Sequence, residues 1–235
     1  MKIVRETLAM MAMLVMMANL HAQAPAVPPQ NVAQLSASGS VEAPQDLLQV
    51  SLTTTREAAD AATVQNQLKA ALDAAMTEAR KAVLPGQMDM RTGAFSLYPR
   101  YGRDGKITTW QGSAELVLEG RDFARISATS GKIQTLTVNQ ATFSLSREQR
   151  ARLEGEAQAV AIERFKAKAS EIARGFGFTG YTLREITVTA NDQGYVPRPR
   201  MMAMEAKASA PDAPLPVEAG RSTVLVTVSG SVQMR

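Results

Sequence analysis

The 235-residue chain contains no cysteine, and its single histidine, His21, lies close to the N-terminus. Without thiols there is no disulfide and no thiolate nucleophile. Without imidazole in the rest of the chain there is no Ser-His-Asp triad, no Cys-His pair, no imidazole proton shuttle and no ordinary zinc site. Aromatic residues make up only 5% of the chain, and the net charge of +4 comes from interspersed side chains. A nucleic-acid binder needs a concentrated basic stripe with aromatic platforms, so that class is excluded. Beyond the N-terminal segment no apolar run approaches the ~18 residues that cross a bilayer.

What is present begins with an export signal. Lys2 and Arg5 supply a positive start, Thr7 to Leu20 an apolar, Met-rich core, and Leu20-His21-Ala22 a small-residue end. Residues 1–22 therefore read as a signal peptide with cleavage expected before Gln23, and the periplasm as the destination. Removing them takes away His21 and lowers the net charge to +3. No membrane span is expected after cleavage, and no lipobox cysteine exists for a lipid anchor. Residues 23–32 are rich in Pro and Ala and read as a flexible linker. One folded domain is expected over 33–235. With no disulfides, it must hold together by burial.

Along that domain the hydrophobic period switches between two and helical spacing. Leu35 to Val41 alternates loosely, with Gly39 marking a bend or a close backbone approach. After Pro44, Leu48, Val50 and Leu52 share one face of a strand over 47–55. These two strands are expected to form a hairpin. From Ala58 to Val83, Val64, Leu68, Ala71, Ala75 and Ala79 recur at helical spacing, and Pro85-Gly86 ends the helix. Met88 to Tyr101 and Ile107 to Glu119 form a second hairpin around Gly102-Arg103-Asp104-Gly105. A short helix is expected over 121–129 and a strand over 136–145. Ser146-Arg147-Glu148-Gln149 has the form of a capping box and opens a long helix over 147–174. Strands over 181–190 and 221–234 close the domain around a Pro-, Ala- and Met-rich loop at 192–219, long for a compact domain. The order ββαββ(α)βα–β–loop–β predicts an α+β fold, with mixed or antiparallel sheets built from β-hairpins and packed with two long helices.

Four patterns carry candidate chemistry. Gly175-Phe176-Gly177-Phe178-Thr179-Gly180 fits G-x-G-x-x-G, but it closes a helix where a dinucleotide loop must open one, so it reads as a helix stop. Met201, Met202 and Met204 cluster thioethers that suit Cu(I) or reversible oxidation, a soft-metal or redox buffer. Their simpler role is contact with a partner or with the sheet. Asp89, Asp104, Glu115, Glu119 and Asp122 offer carboxylates to a histidine-independent envelope hydrolase, although most acids on strands and turns are only solvated. Arg100, Arg103, Arg198 and Arg200 flank the two long connections and suit a small anion, or are exposed loop arginines.

A family likeness runs through the same residues. Ser38-Gly39-Ser40-Val41, Pro44, Thr53-Thr54-Thr55, Ala58, Ala62 and Asn66 open it. Pro99-Arg100-Tyr101, Phe143-Ser144-Leu145-Ser146, Phe165-Lys166-Ala167-Lys168-Ala169, the glycines 177 and 180, and Val217-Glu218-Ala219-Gly220 continue it. The chain resembles SIMPL-domain proteins, formerly a domain of unknown function, found in exported bacterial proteins. The resemblance implies an envelope protein linked to oxidative-stress defence. It implies no catalytic residues, no metal and no cofactor. The expected function is therefore non-enzymatic, through binding or self-assembly, with a homo-oligomer or another envelope protein as partner. Unpaired strand edges favour such association.

Overall fold

The computed structural model describes residues 30–191 and 218–235. The elements are β1 (Val32–Pro44), β2 (Leu47–Ala58), α1 (Ala61–Arg80), β3 (Met88–Tyr101), β4 (Ile107–Gly120), α2 (Phe123–Lys132), β5 (Thr137–Ser144), α3 (Arg147–Gly175), β6 (Tyr181–Asn191) and β7 (Arg221–Met234). They form two sheets, a three-stranded one in the order β1-β7-β6 and a four-stranded one in the order β3-β4-β2-β5. Every pairing is antiparallel. The α+β class is thus as expected, with the parallel option gone.

The expected hairpin of β1 and β2 does not form. β1 pairs with β7, from Val32 opposite Gln233 to Pro44 opposite Arg221, and β2 lies between β4 and β5. The reason lies in the two residues that join them. A two-residue hairpin wants Asn-Gly or a similar pair with positive φ. Here the pair is Gln45-Asp46, and both residues are hydrogen-bonded into other segments. The Gln45 N–H donates to Gly220 O at 3.0 Å and the Asp46 N–H to Ser144 O at 3.1 Å. The chain crosses from one sheet to the other instead of turning back. The hairpin of β3 and β4 forms as expected.

Each sheet packs its own helix over its own core. Val64, Leu68, Ala71, Ala75 and Ala79 are the buried residues of α1, which lies on the four-stranded sheet over Leu48, Val50, Leu52, Leu116 and Leu118. Asp60 starts α1 by accepting the Thr63 N–H at 2.8 Å, a capping bond. On the three-stranded sheet, α3 buries Leu153, Ala157, Ala161, Phe165, Ala169 and Ala173, one residue in every four. Four of these are alanines, so the helix comes very close to the sheet. At Gly39 a Cβ atom would lie 2.2 Å from Ala157 O and 2.6 Å from Ala161 N. No side chain fits there, which settles the close-approach reading of that glycine.

Candidate functional site

The three-stranded sheet has two edges, and they are treated differently. β1 is covered: Arg164 of α3 donates to Ser38 O at 2.7 Å, and Lys168 donates to Ser36 O at 3.1 Å. Two long cations thus close over the main chain of that rim, a common guard against edge-to-edge pairing. β6 forms the other edge, and among the described residues it is hydrogen-bonded to β7 on one side only. Here α3 gives little cover, because it lies over β1 and β7 and touches β6 sparsely. Ile186 and Val188 stand opposite Gly230 and Val228, on the face that α3 packs against. Even so they are 40% and 45% exposed, and Leu183 is 58% exposed. The result is an apolar strip beside a row of main-chain groups that are unpaired among the described residues.

Across the opposite face of this sheet runs a shallow polar hollow of about 460 Å³. Two cross-strand rows line it, Gln34-Ser231-Glu185 and Ser36-Ser229-Thr187. It is a groove of hydroxyls, the Gln34 amide and the Glu185 carboxylate.

The junction between the sheets is a hydrogen-bonded knot. The Asp46 carboxylate accepts the Ser146 N–H and the Ser146 hydroxyl, each at 2.6 Å. The Ser146 oxygen in turn caps α3 by accepting the Gln149 N–H at 3.3 Å. The capping box read from the sequence is therefore half right: Asp46, a hundred residues away, replaces the reciprocal side-chain bond expected from Gln149. Arg121 reaches Ser146 Oγ at 2.9 Å and Glu148 at 2.5 Å. A cleft of about 360 Å³ opens beside it, lined in part by Asp89, Glu119, Arg121 and Glu148.

Of the sequence-predicted carboxylates, Asp89 and Glu119 come together on the wall of the cleft beside Arg121, while Asp104, Glu115 and Asp122 are engaged elsewhere. Asp122 caps α2 by accepting the Arg125 N–H, which holds its carboxyl below the usual range. Asp104 accepts the Lys106 N–H inside the β3–β4 turn. Glu115 accepts the Ser51 hydroxyl and, at 3.0 Å, the Ala94 N–H. Those two bonds hold its carboxyl below the ordinary value, which makes it a poorer base. Asp89 and Glu119 stand directly opposite each other on β3 and β4. Arg100 bonds Gln111 at 2.9 Å and Arg103 sits exposed in the turn, while Arg198 and Arg200 lie outside the described residues. Met201, Met202 and Met204 also lie outside them, as do the expected signal segment 1–22 and nearly all of the loop expected over 192–219. The glycine motif is a helix stop: Phe178 N–H bonds Ala173 O, Gly177 N–H bonds Arg174 O, and Gly177 takes φ +80°. Among the described residues no group of three acidic side chains is placed to hold a metal ion.

The match that decides the family covers residues 33–232 and is to the model described as SIMPL, protein of unknown function (DUF541). The chain belongs to the SIMPL family. No curated protein matches it. Among solved structures, SIMPL residues of this chain show a distant likeness to AtUAH in complex with glyoxylate, at 14% identity and TM-score 0.27 over 56% of this chain. AtUAH in complex with (S)-hydroxyglycine gives 14% identity and TM-score 0.25 over 55% of this chain. Either match spans 34% of the AtUAH chain, about a third of its length. Likeness at that level carries no argument about what a SIMPL protein does.

The open edge of β6 escaped the sequence reading. Its only trace there is an alternating strand whose apolar residues have no helix of their own to lie under.

Proposed function

We propose that this SIMPL protein is an exported, periplasmic protein without catalytic activity that acts by strand-to-strand association, first of all with copies of itself, in the service of envelope stress tolerance. The observation that carries the reading is the contrast between the two rims of one sheet. β1 is closed by Arg164 and Lys168, whereas β6 offers main chain that is free among the described residues, flanked by Leu183, Ile186 and Val188. Strand addition uses this combination: main-chain hydrogen bonds for affinity and exposed side chains for register. The signal-like segment 1–22 supports export. The scarcity of histidine, the lack of cysteine and the hydrogen-bonded state of Glu115 support the non-enzymatic part.

Light scattering on the mature protein over a wide concentration range tests it. The wild type is expected to associate, and Ile186→Lys with Val188→Lys is expected to return it to a monomer with unchanged circular dichroism. A wild type that stays monomeric at high concentration, or a double variant that associates as well as the parent, refutes strand addition at β6. Turnover of a small substrate by the purified protein refutes the non-enzymatic reading.

A further inference from the structure

The β3–β4 hairpin carries a surface that the β6 edge does not explain. Its strands run past the end of β2. The last β2–β4 pair is Ala58 with Trp110, and the pairs Arg100–Thr109 and Tyr101–Ile107 lie beyond it. The turn that closes this ribbon is hydrogen-bonded, with the Gly105 N–H to Gly102 O at 3.1 Å and the Gly102 N–H to Lys106 O at 2.8 Å. Apolar side chains stand out at its end, where Tyr101 is 65% exposed and Ile107 48%; Tyr98, 45% exposed, lies further in, on the other face and still beside β2. Around them are three exposed cations, Arg100, Arg103 and Lys106, against two carboxylates, Asp104 in the turn and Glu57, which accepts the Thr109 hydroxyl. Arg103 and Lys106 form no ion pair among the described residues.

We propose that this tip docks on an anionic lipid surface. Arg100, Arg103 and Lys106 meet the headgroup phosphates, and Tyr101 and Ile107 sit at the boundary between headgroups and acyl chains. Charge complementarity carries the choice of partner. Exposed basic residues gain from the negative potential of anionic bilayers, and tyrosine rings, apolar in body and polar at the tip, favour the headgroup level. A purely apolar tip would suit a groove in another protein. A ring of cations around a tyrosine and an isoleucine suits a charged, wet interface. The tip belongs to the four-stranded sheet, so its role stands or falls apart from that of β6.

Co-sedimentation of the mature protein with lipid vesicles tests this, comparing phosphatidylglycerol mixed into phosphatidylcholine against phosphatidylcholine alone. Binding is expected only to the anionic vesicles, and is expected to fall as salt shortens the screening length from about 10 Å at 0.1 M to about 3 Å at 1 M. Each basic residue near such a surface is worth about fivefold in affinity. The R103A/K106A double variant is therefore expected to bind about twenty-five-fold more weakly. Tyr101→Ala is expected to weaken binding several-fold with no change in circular dichroism or light scattering. Equal binding to neutral vesicles, no binding to anionic ones, or an affinity that R103A/K106A leaves unmoved overturns the proposal. So does capture of a protein through the tip in the absence of lipid binding.

Discussion

Replacing Asp46 by alanine removes the acceptor that ties the sheet-to-sheet crossing to the start of α3. Ser146 is only 3% exposed, so its N–H has no water to turn to once the carboxylate is gone. An amide N–H left unsatisfied in that setting costs about 1–3 kcal/mol, and the lost hydroxyl bond about 1 kcal/mol more. The nearby Arg121 adds little, because its Nε is 3.7 Å from Asp46 and its side chain is 45% exposed. The sum is about 2–4 kcal/mol, which for a chain of this size lowers the melting temperature by about 10 °C. Asp46→Asn keeps one oxygen at the site and is expected to cost about half as much. Thermal unfolding followed by circular dichroism measures both. If Asp46→Ala melts within about 2 °C of the wild type, the knot at Ser146 does not hold the crossing in place and the argument fails.

Two other perturbations are expected to separate the elements of the fold. Gly39→Ala drives a methyl group against the main chain of α3 at Ala157 and Ala161, neither of which can rotate away, so a loss of about 3 kcal/mol in denaturant unfolding is expected; wild-type stability would show that helix and strand are not in contact there. Glu115 is held below its ordinary value near 4.5 by the Ser51 hydroxyl first and the Ala94 N–H second, so its stabilising effect is complete above that value and is lost as pH falls through the lowered folded-state pKa. Glu115→Gln is expected to flatten the stability–pH curve on the acid side, and a parallel loss of stability at every pH would contradict the assignment.

The sequence carries more of the elements than of their partners. Period-two alternation in Leu48, Val50 and Leu52, and four-residue spacing from Leu153 to Ala173, are local signals, and each marks its element correctly. The partner of β1 is not a local property. Val32 meets Gln233 across the whole domain, while the adjacent β2 has both its edges taken by β4 and β5. Nothing within a few residues of Gln45-Asp46 announces that their hydrogen bonds end on Gly220, Ser144 and Ser146. The Ser146 capping box was visible for the same reason that its Asp46 half was not: one leg spans three residues and the other a hundred. Exposure along β6 was hidden too. An alternating strand shows which side is apolar, and only the position of α3 shows that this side is left half bare.

The place of β7 in the middle of the three-stranded sheet fixes an order of events. Residues 47–144 contain every strand of the other sheet and can close around α1 and α2 as soon as they are made. β1 and β6 cannot touch a partner until residues 221–234 arrive, so the slowest contact is also the one of greatest sequence separation. A chain halted before that point would carry a finished half and, beside it, two unpaired strands and an alanine-faced helix that has lost the middle of its sheet, the form that a chaperone would have to shield.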